Sequence, residues 1–152
     1  MTFLRILVLC TANRCRSQMA EGWLRHFGRD RLEVHSAGTS PKTVHPHAIR
    51  AMAQAGVDVS QHASKHLDQY RNQHFDWVIT VCDSAKQACP VFPNAARTLH
   101  HKFADPDQPG LSKEQANERF RRARDAIRDW AKAFVESELA KENIQSPKTR
   151  VE

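Results

Sequence analysis

Apolar runs and helix-period stretches alternate along this chain from its first residues to its last third. Phe3 to Leu9 is apolar apart from Arg5, the pattern of a central strand covered on both faces. A polar stretch follows, and then Met19, Ala20, Trp23, Leu24 and Phe27 recur at helical spacing up to Gly28, a C-terminal cap. Leu32-Glu33-Val34-His35 alternates as a short strand does, and Ser36-Ala37-Gly38 closes it. Pro46 suits a first helical turn, with Ile49, Met52 and Ala53 on one face and Gly56 as the stop. Ser64 is placed to cap a further short helix carrying Leu67 and Tyr70. Trp77 to Val81 is the second strongly apolar strand, and Cys82 follows it directly.

Beyond that point the signals thin and then return. Residues 83–95 contain Pro90 and Pro93 and show no period, which predicts a loop. Thr98-Leu99-His100 reads as a last short strand, and Asp105-Pro106 opens another loop that ends at Gly110. Ser112 with Gln115 forms a capping box for a long helix, with Phe120, Ala123, Ile127, Trp130 and Phe134 on its inner face. Strands and helices alternate throughout. That order predicts a single-domain α/β fold, a four-stranded parallel sheet with helices on both faces, over residues 1–142. A polar tail at 143–152 is expected to fray.

Charge and composition narrow the function only a little. The 152 residues are 40% hydrophobic and 26% charged, enough for one core. No run reaches the roughly 18 apolar residues of a membrane span, so a cytoplasmic protein with no membrane partner is expected; a monomer is expected as well. In that compartment four cysteines suggest catalysis or metal in place of a disulfide framework. The net charge of +6 raises the question of nucleic acid, but its distribution answers it. Residues 1–31 hold six Arg against two acids, whereas 113–142 holds eight basic and seven acidic residues. With no basic face interleaved with aromatics, the excess serves to draw a small anion.

The chemistry gathers in Cys10-Thr11-Ala12-Asn13-Arg14-Cys15-Arg16-Ser17, between the first strand and the first helix. A loop entering a helix has backbone N–H groups without intrachain partners, and these converge on an anion. Arg16 can hold two oxygens of a tetrahedral oxyanion in a bidentate grip. The same positive field favours the thiolate of Cys10, which is the nucleophile. Ser17, at the start of the helix, is placed to donate its hydroxyl to that sulfur. A buried cysteine at a strand end is ordinarily just a small hydrophobe. The strand, the loop, the Arg and the Ser together favour the reactive reading.

The stretch from Cys10 to Trp23 resembles the phosphate loop of the low-molecular-weight tyrosine phosphatase family, and more closely its arsenate reductase branch. The resemblance implies Cys10, Arg16, Ser17, Cys82, Cys89 and Asp105 as catalytic residues. Thr11, Ala12, Asn13, Arg14, Cys15 and Arg16 would bind the substrate, with no cofactor and no metal. It implies that the strands before Cys10 and Cys82 are neighbours, and that Asp105 protonates the departing oxygen. It further implies a disulfide relay from Cys10 through Cys82 to Cys89, reset by thioredoxin, with phosphate and sulfate as competing anions. Asp107 and Gln108 stand where phosphatases of this fold carry aromatics, which suits a small inorganic anion. A tyrosine phosphatase acting on aryl phosphates through Cys10 is the alternative. A zinc module of Cys10, Cys15, Cys82 and Cys89 is weaker, because Arg16 would sit beside the metal.

Two residues depart from the family pattern. Ala12 stands where the family has Gly, a strain of about 1 kcal/mol if that position needs positive φ. Arg14 replaces a small residue and adds charge at the mouth of the loop. Some relatives bind a monovalent cation near the equivalents of Asn13, Glu21 and Ser36; here Lys65 stands where an acidic ligand is expected, and its ammonium would substitute for the ion. His45, His47, His100 and His101 form no ligand set and read as surface residues. His62 resembles a family position near the active site without an assigned role.

Overall fold

The structure is a computed structural model that describes residues 3–81, 92 and 94–150, with side chains as far as residue 141. Four strands, β1 (Leu4–Cys10), β2 (Leu32–Gly38), β3 (Phe75–Thr80) and β4 (Ala95–His100), pair in the order β2-β1-β3-β4. Every pairing is parallel. The expected neighbours, the strands before Cys10 and Cys82, are hydrogen-bonded to each other through Ile6 to Leu9 and Trp77 to Thr80. The apolar middle of β1 is buried because it has sheet on both edges and cover on both faces.

Alternation along β1 sorts the two halves of the core. Ile6, Val8 and Cys10 face helices α1 (Arg16–Gly28), α2 (Pro46–Gln54) and α3 (Lys113–Arg150). Met19, Trp23 and Leu24 of α1 meet Met52 of α2 and Phe120, Ile127 and Val135 of α3 in that layer. Leu7 and Leu9 face the other way, against Leu67, Tyr70, Phe75 and Phe92. Among the described residues a 3-10 turn, Leu67–Tyr70, supplies the helical cover there. The predicted Ser64 cap is not the one used. His66 caps this turn, its Nδ1 accepting the Asp68 amide at 2.9 Å, and Ser64 is spent elsewhere.

The Ser112–Gln115 capping box forms as the sequence predicts. The Gln115 amide donates to Ser112 Oγ at 3.1 Å, and the Ser112 amide donates to Gln115 Oε1 at 2.9 Å. Trp77 Nε1 of β3 reaches Glu138 Oε1 of α3 at 2.9 Å, which satisfies a carboxylate that is 9% exposed. The backbone of α3 continues through the predicted polar tail to Arg150. Strand β4 starts at Ala95, earlier than the apolar run at 98–100 marks. It is an exposed edge strand, so its first residues need no apolar face. Most of the predicted 83–95 loop lies outside the described residues. Among the described residues no helix is long and apolar enough to cross a membrane.

Candidate active site

Parallel strands bring their carboxyl ends to one edge, and the chain reverses its winding direction between β1 and β3. Cys10 ends β1 and pairs with Gly38 at the end of β2. Val81 continues β3 and donates its amide to Leu9 at 3.2 Å, one residue before Cys10. Cys82 and Cys89 lie outside the described residues, so the geometry of those two sulfurs is not part of the description.

The loop from Thr11 to Cys15 is held open by its neighbours. Ser40, Lys42 and His45 donate their amides to the carbonyls of Thr11, Ala12 and Arg14 at 2.9, 3.0 and 3.1 Å. The Asn13 carbonyl accepts from Ser64 Oγ at 2.6 Å and from Gln18 Nε2 at 3.1 Å. Each peptide is planar and trans, so a carbonyl turned outward turns the next amide inward. Amides from Ala12 to Cys15 therefore turn away from those donors. The first turn of α1 adds to them: Cys15 supplies no side-chain cap and no acid stands in that turn. Such a loop can serve as a cradle for an oxyanion.

Asn13 is the hub beneath it. Its φ is +50°, and Asn tolerates that left-handed geometry better than most residues. Ala12 is not among the positive-φ residues, so the strain expected from its methyl group does not arise. Asn13 Nδ2 donates to Ser17 Oγ and to Ser36 Oγ, both at 2.9 Å, while Oδ1 accepts the Lys65 amide at 2.9 Å. Gly38 must lack a side chain. A Cβ there would stand 2.3 Å from the Thr11 carbonyl oxygen and 3.0 Å from the Asn13 nitrogen, both backbone atoms that the cradle needs in place. Gly38→Ala is expected to lower stability by about 1–3 kcal/mol and to shrink the rise in melting temperature that inorganic phosphate produces. A wild-type phosphate response in that variant would mean the cradle tolerates displacement.

A charged cluster lies behind the loop. Glu21, 2% exposed, accepts the Ser36 hydroxyl at 2.5 Å and pairs with Arg25 at 2.8 Å. The Lys65 ammonium lies 4.0 Å from Glu21 Oε1 and donates to the Ala63 carbonyl at 2.9 Å. Burial lowers its pKa, and the Glu21 carboxylate works against that shift. His62 Nδ1 meets Gln18 Oε1 at 3.0 Å and Nε2 stands 3.9 Å from Glu21. Burial lowers the His62 pKa, again opposed by Glu21. Of the three residues Asn13, Glu21 and Ser36, the ammonium stands near Glu21, while Asn13 is met by the Lys65 backbone amide. Potassium is expected to raise the melting temperature no more than sodium at equal ionic strength. A potassium-specific rise would show that an ion still binds there.

The remaining predicted residues converge from two segments. Arg16 donates to the Phe103 carbonyl at 2.9 Å, and its other nitrogen is 3.5 Å from Asp105 Oδ2. Arg14 pairs with Asp107 at 2.9 Å, so the added charge at the mouth has a partner of its own. Cys10 and Cys15 are both buried. Burial, aided by Asp107 and Asp105, pushes the Cys15 thiol up to about 12, the setting of an inert neutral sulfur. His45 departs from the surface reading: its Nδ1 accepts the His47 amide at 3.1 Å as the N-cap of α2, and its ring is tilted against Phe120 with centroids 4.8 Å apart. Gln18 and Ser64 are site residues that the sequence pattern does not reveal, because polar side chains leave no periodic mark. Gly38 at a strand end beside the loop was the one available signal.

A buried cysteine at the end of β1, an Arg at the start of α1 and an Asp 3.5 Å from that Arg share the carboxyl edge of a parallel α/β sheet. The chain belongs to the low molecular weight phosphotyrosine protein phosphatase family, whose profile matches residues 5–145. It is 40% identical over 132 residues to the arsenate reductase of Halalkalibacterium halodurans, covering 87% of this chain and 95% of that one. A solved arsenate reductase in the phosphate binding state superposes with a TM-score of 0.76 at 28% identity, covering 90% of this chain and 98% of that one. A thioredoxin-dependent arsenate reductase of Corynebacterium glutamicum gives 0.62 at 27% identity, covering 90% of this chain and 64% of that one.

Proposed function

We propose that this protein reduces arsenate to arsenite through a thiol relay in which Cys10 is the nucleophile. The observation that supports it most is the pairing of β1 with β3. It brings the chain to one residue before Cys82 alongside Leu9, one residue before Cys10, at the mouth of the cradle. The likeness to proteins named arsenate reductases over most of both chains supports the same reading.

The amides of residues 12–15 and the Arg16 guanidinium hold the oxyanion, and their positive field stabilises the Cys10 thiolate. Ser17 Oγ already accepts from Asn13, which turns its own proton toward another acceptor; the Cys10 sulfur is the one proposed. Cys10 attacks arsenic and forms a sulfur–arsenic bond, while Asp105 gives a proton to the oxygen that leaves as water. Cys82 then attacks the Cys10 sulfur. A disulfide forms, the sulfur–arsenic pair stays with arsenic, and arsenic(V) departs as arsenic(III). Cys89 attacks Cys82 in turn, which frees Cys10 as a thiolate. An external dithiol, thioredoxin, reduces the Cys82–Cys89 disulfide. Phosphate and sulfate fit the cradle but stop there, because phosphorus and sulfur do not readily accept the electron pair.

A phosphatase reading shares every step up to the cysteine adduct. Asp107 and Gln108 after Asp105-Pro106 favour the small inorganic anion, since Asp107 is engaged by Arg14 where a phenol ring would stack. The zinc reading loses ground on Cys15, whose surroundings hold it as a neutral thiol. The proposal is tested by arsenate-dependent NADPH oxidation with thioredoxin and thioredoxin reductase. Turnover is expected there and not in a parallel assay with glutathione and glutaredoxin. Failure with both reductants, alongside hydrolysis of aryl phosphates, would favour the phosphatase.

A further inference from the structure

One charge pair at the mouth of the cradle has no part in the relay. Arg14 Nη1 and Asp107 Oδ2 meet at 2.9 Å across 93 residues of sequence. The other Asp107 oxygen stands 3.5 Å from His45 Nε2. Because His45 Nδ1 accepts the His47 amide, the neutral ring carries its proton on Nε2, the nitrogen turned toward Asp107. His45 is itself fixed. Its backbone amide donates to the Arg14 carbonyl at 3.1 Å, and its ring centroid lies 4.8 Å from that of Phe120.

From Asp107 the contacts lead to the acid. The Asp107 amide donates to Asp105 Oδ1 at 3.0 Å, while Asp105 Oδ2 faces Arg16 at 3.5 Å. One oxygen of Asp105 is thus set by Asp107, and Asp107 is set by the loop that holds the oxyanion. This connection joins residues 14 and 107, which no local pattern links.

We propose that Arg14, Asp107 and His45 are positioning residues that fix the Asp105 carboxyl over the cradle, so that proton delivery to the leaving oxygen depends on a contact made outside the substrate. The proposal rests on the reading of Asp105 as proton donor. Arg14 and Asp107 side chains are 27% and 44% exposed, and ion pairs of that exposure contribute little to stability. Misplacing a reacting group by an ångström, in contrast, costs up to about a hundredfold in rate. A large rate effect with a small stability effect is therefore the signature.

The test is a double-mutant cycle in the full chain with Asp107→Asn and Arg14→Met. Three quantities are read: kcat with arsenate and thioredoxin, inhibition by inorganic phosphate, and hydrogen exchange of the amide at position 107. Each single variant is expected to lower kcat about tenfold, and the double variant to lose no more than the worse single. Phosphate inhibition of Asp107→Asn stays within about twofold of wild type, since the cradle keeps its amides. The amide at 107 exchanges about tenfold faster in both singles, and Asp107→Glu, which keeps a carboxylate within reach of Arg14, recovers most of the rate. Losses that multiply in the double variant, or unchanged exchange at 107, would overturn the proposal. If wild type turns over no arsenate, the activity reading fails by itself. The exchange measurement, with the same cycle on an aryl phosphate, still decides the positioning role.

Discussion

Cys10→Ser is expected to abolish arsenate reduction and any aryl phosphate hydrolysis together, each by at least about 10³-fold. Both reactions begin by forming a bond to the same sulfur, and an alcohol in that place is not ionised by the field of a helix terminus and one Arg. The cradle itself should survive, since its carbonyls are held by Ser40, Lys42, His45 and Ser64 and not by the thiol. Phosphate should therefore still raise the melting temperature of the variant. Binding without turnover separates loss of the nucleophile from loss of the fold. Either activity retained near the wild-type rate would remove Cys10 from its role.

Cys89→Ser should convert a turning enzyme into one that works once. Cys10 and Cys82 remain competent for a single round, and the protein then stalls as a Cys10–Cys82 disulfide that thioredoxin reaches poorly. With limiting reductant it is expected to release about one equivalent of arsenite per chain and stop. Cys82→Ser should release none, because nothing then takes the Cys10 sulfur away from arsenic. Water resolves a phospho-cysteine without help, so hydrolysis of a chromogenic aryl phosphate should match wild type in both variants. Arsenite quantified against enzyme concentration decides the matter. Steady turnover of Cys89→Ser with thioredoxin would make the loop cysteine incidental.

Periodicity revealed what local chain geometry controls and little of what distant segments settle. The strand, which starts at Leu4, and the Ser112–Gln115 box are relations within a few residues, and both form; the first helix does end at Gly28, but its C-cap is Arg29 at φ +51° and not the glycine. The oxyanion loop was legible for the same reason: strand, loop, Arg and helix are consecutive. Ser64 was misread because its acceptor, the Asn13 carbonyl, lies 51 residues away, and no local pattern separates that bond from a cap. His45 was read as surface because neither Phe120 nor Asp107 is near it in sequence. The left-handed residue of the loop is Asn13 and not its neighbour Ala12. A one-residue shift of that kind depends on where the loop carbonyls find donors, and these come from residues 40–45, 18 and 64.

The outward carbonyls of the cradle have a consequence for how the protein would live with its ligands. Their donors belong to the chain, so the loop takes its shape when the protein folds and not when an anion arrives. The conformational entropy of ordering is already spent, and association reduces to exchanging hydration shells at a rate set by encounter. A host shaped in advance for a tetrahedral oxyanion is also occupied in advance wherever phosphate is abundant. Arsenate would then reach the sulfur only after phosphate has left. Flux through such a protein follows the ratio of the two anions, so phosphate starvation alone would quicken it at constant arsenate.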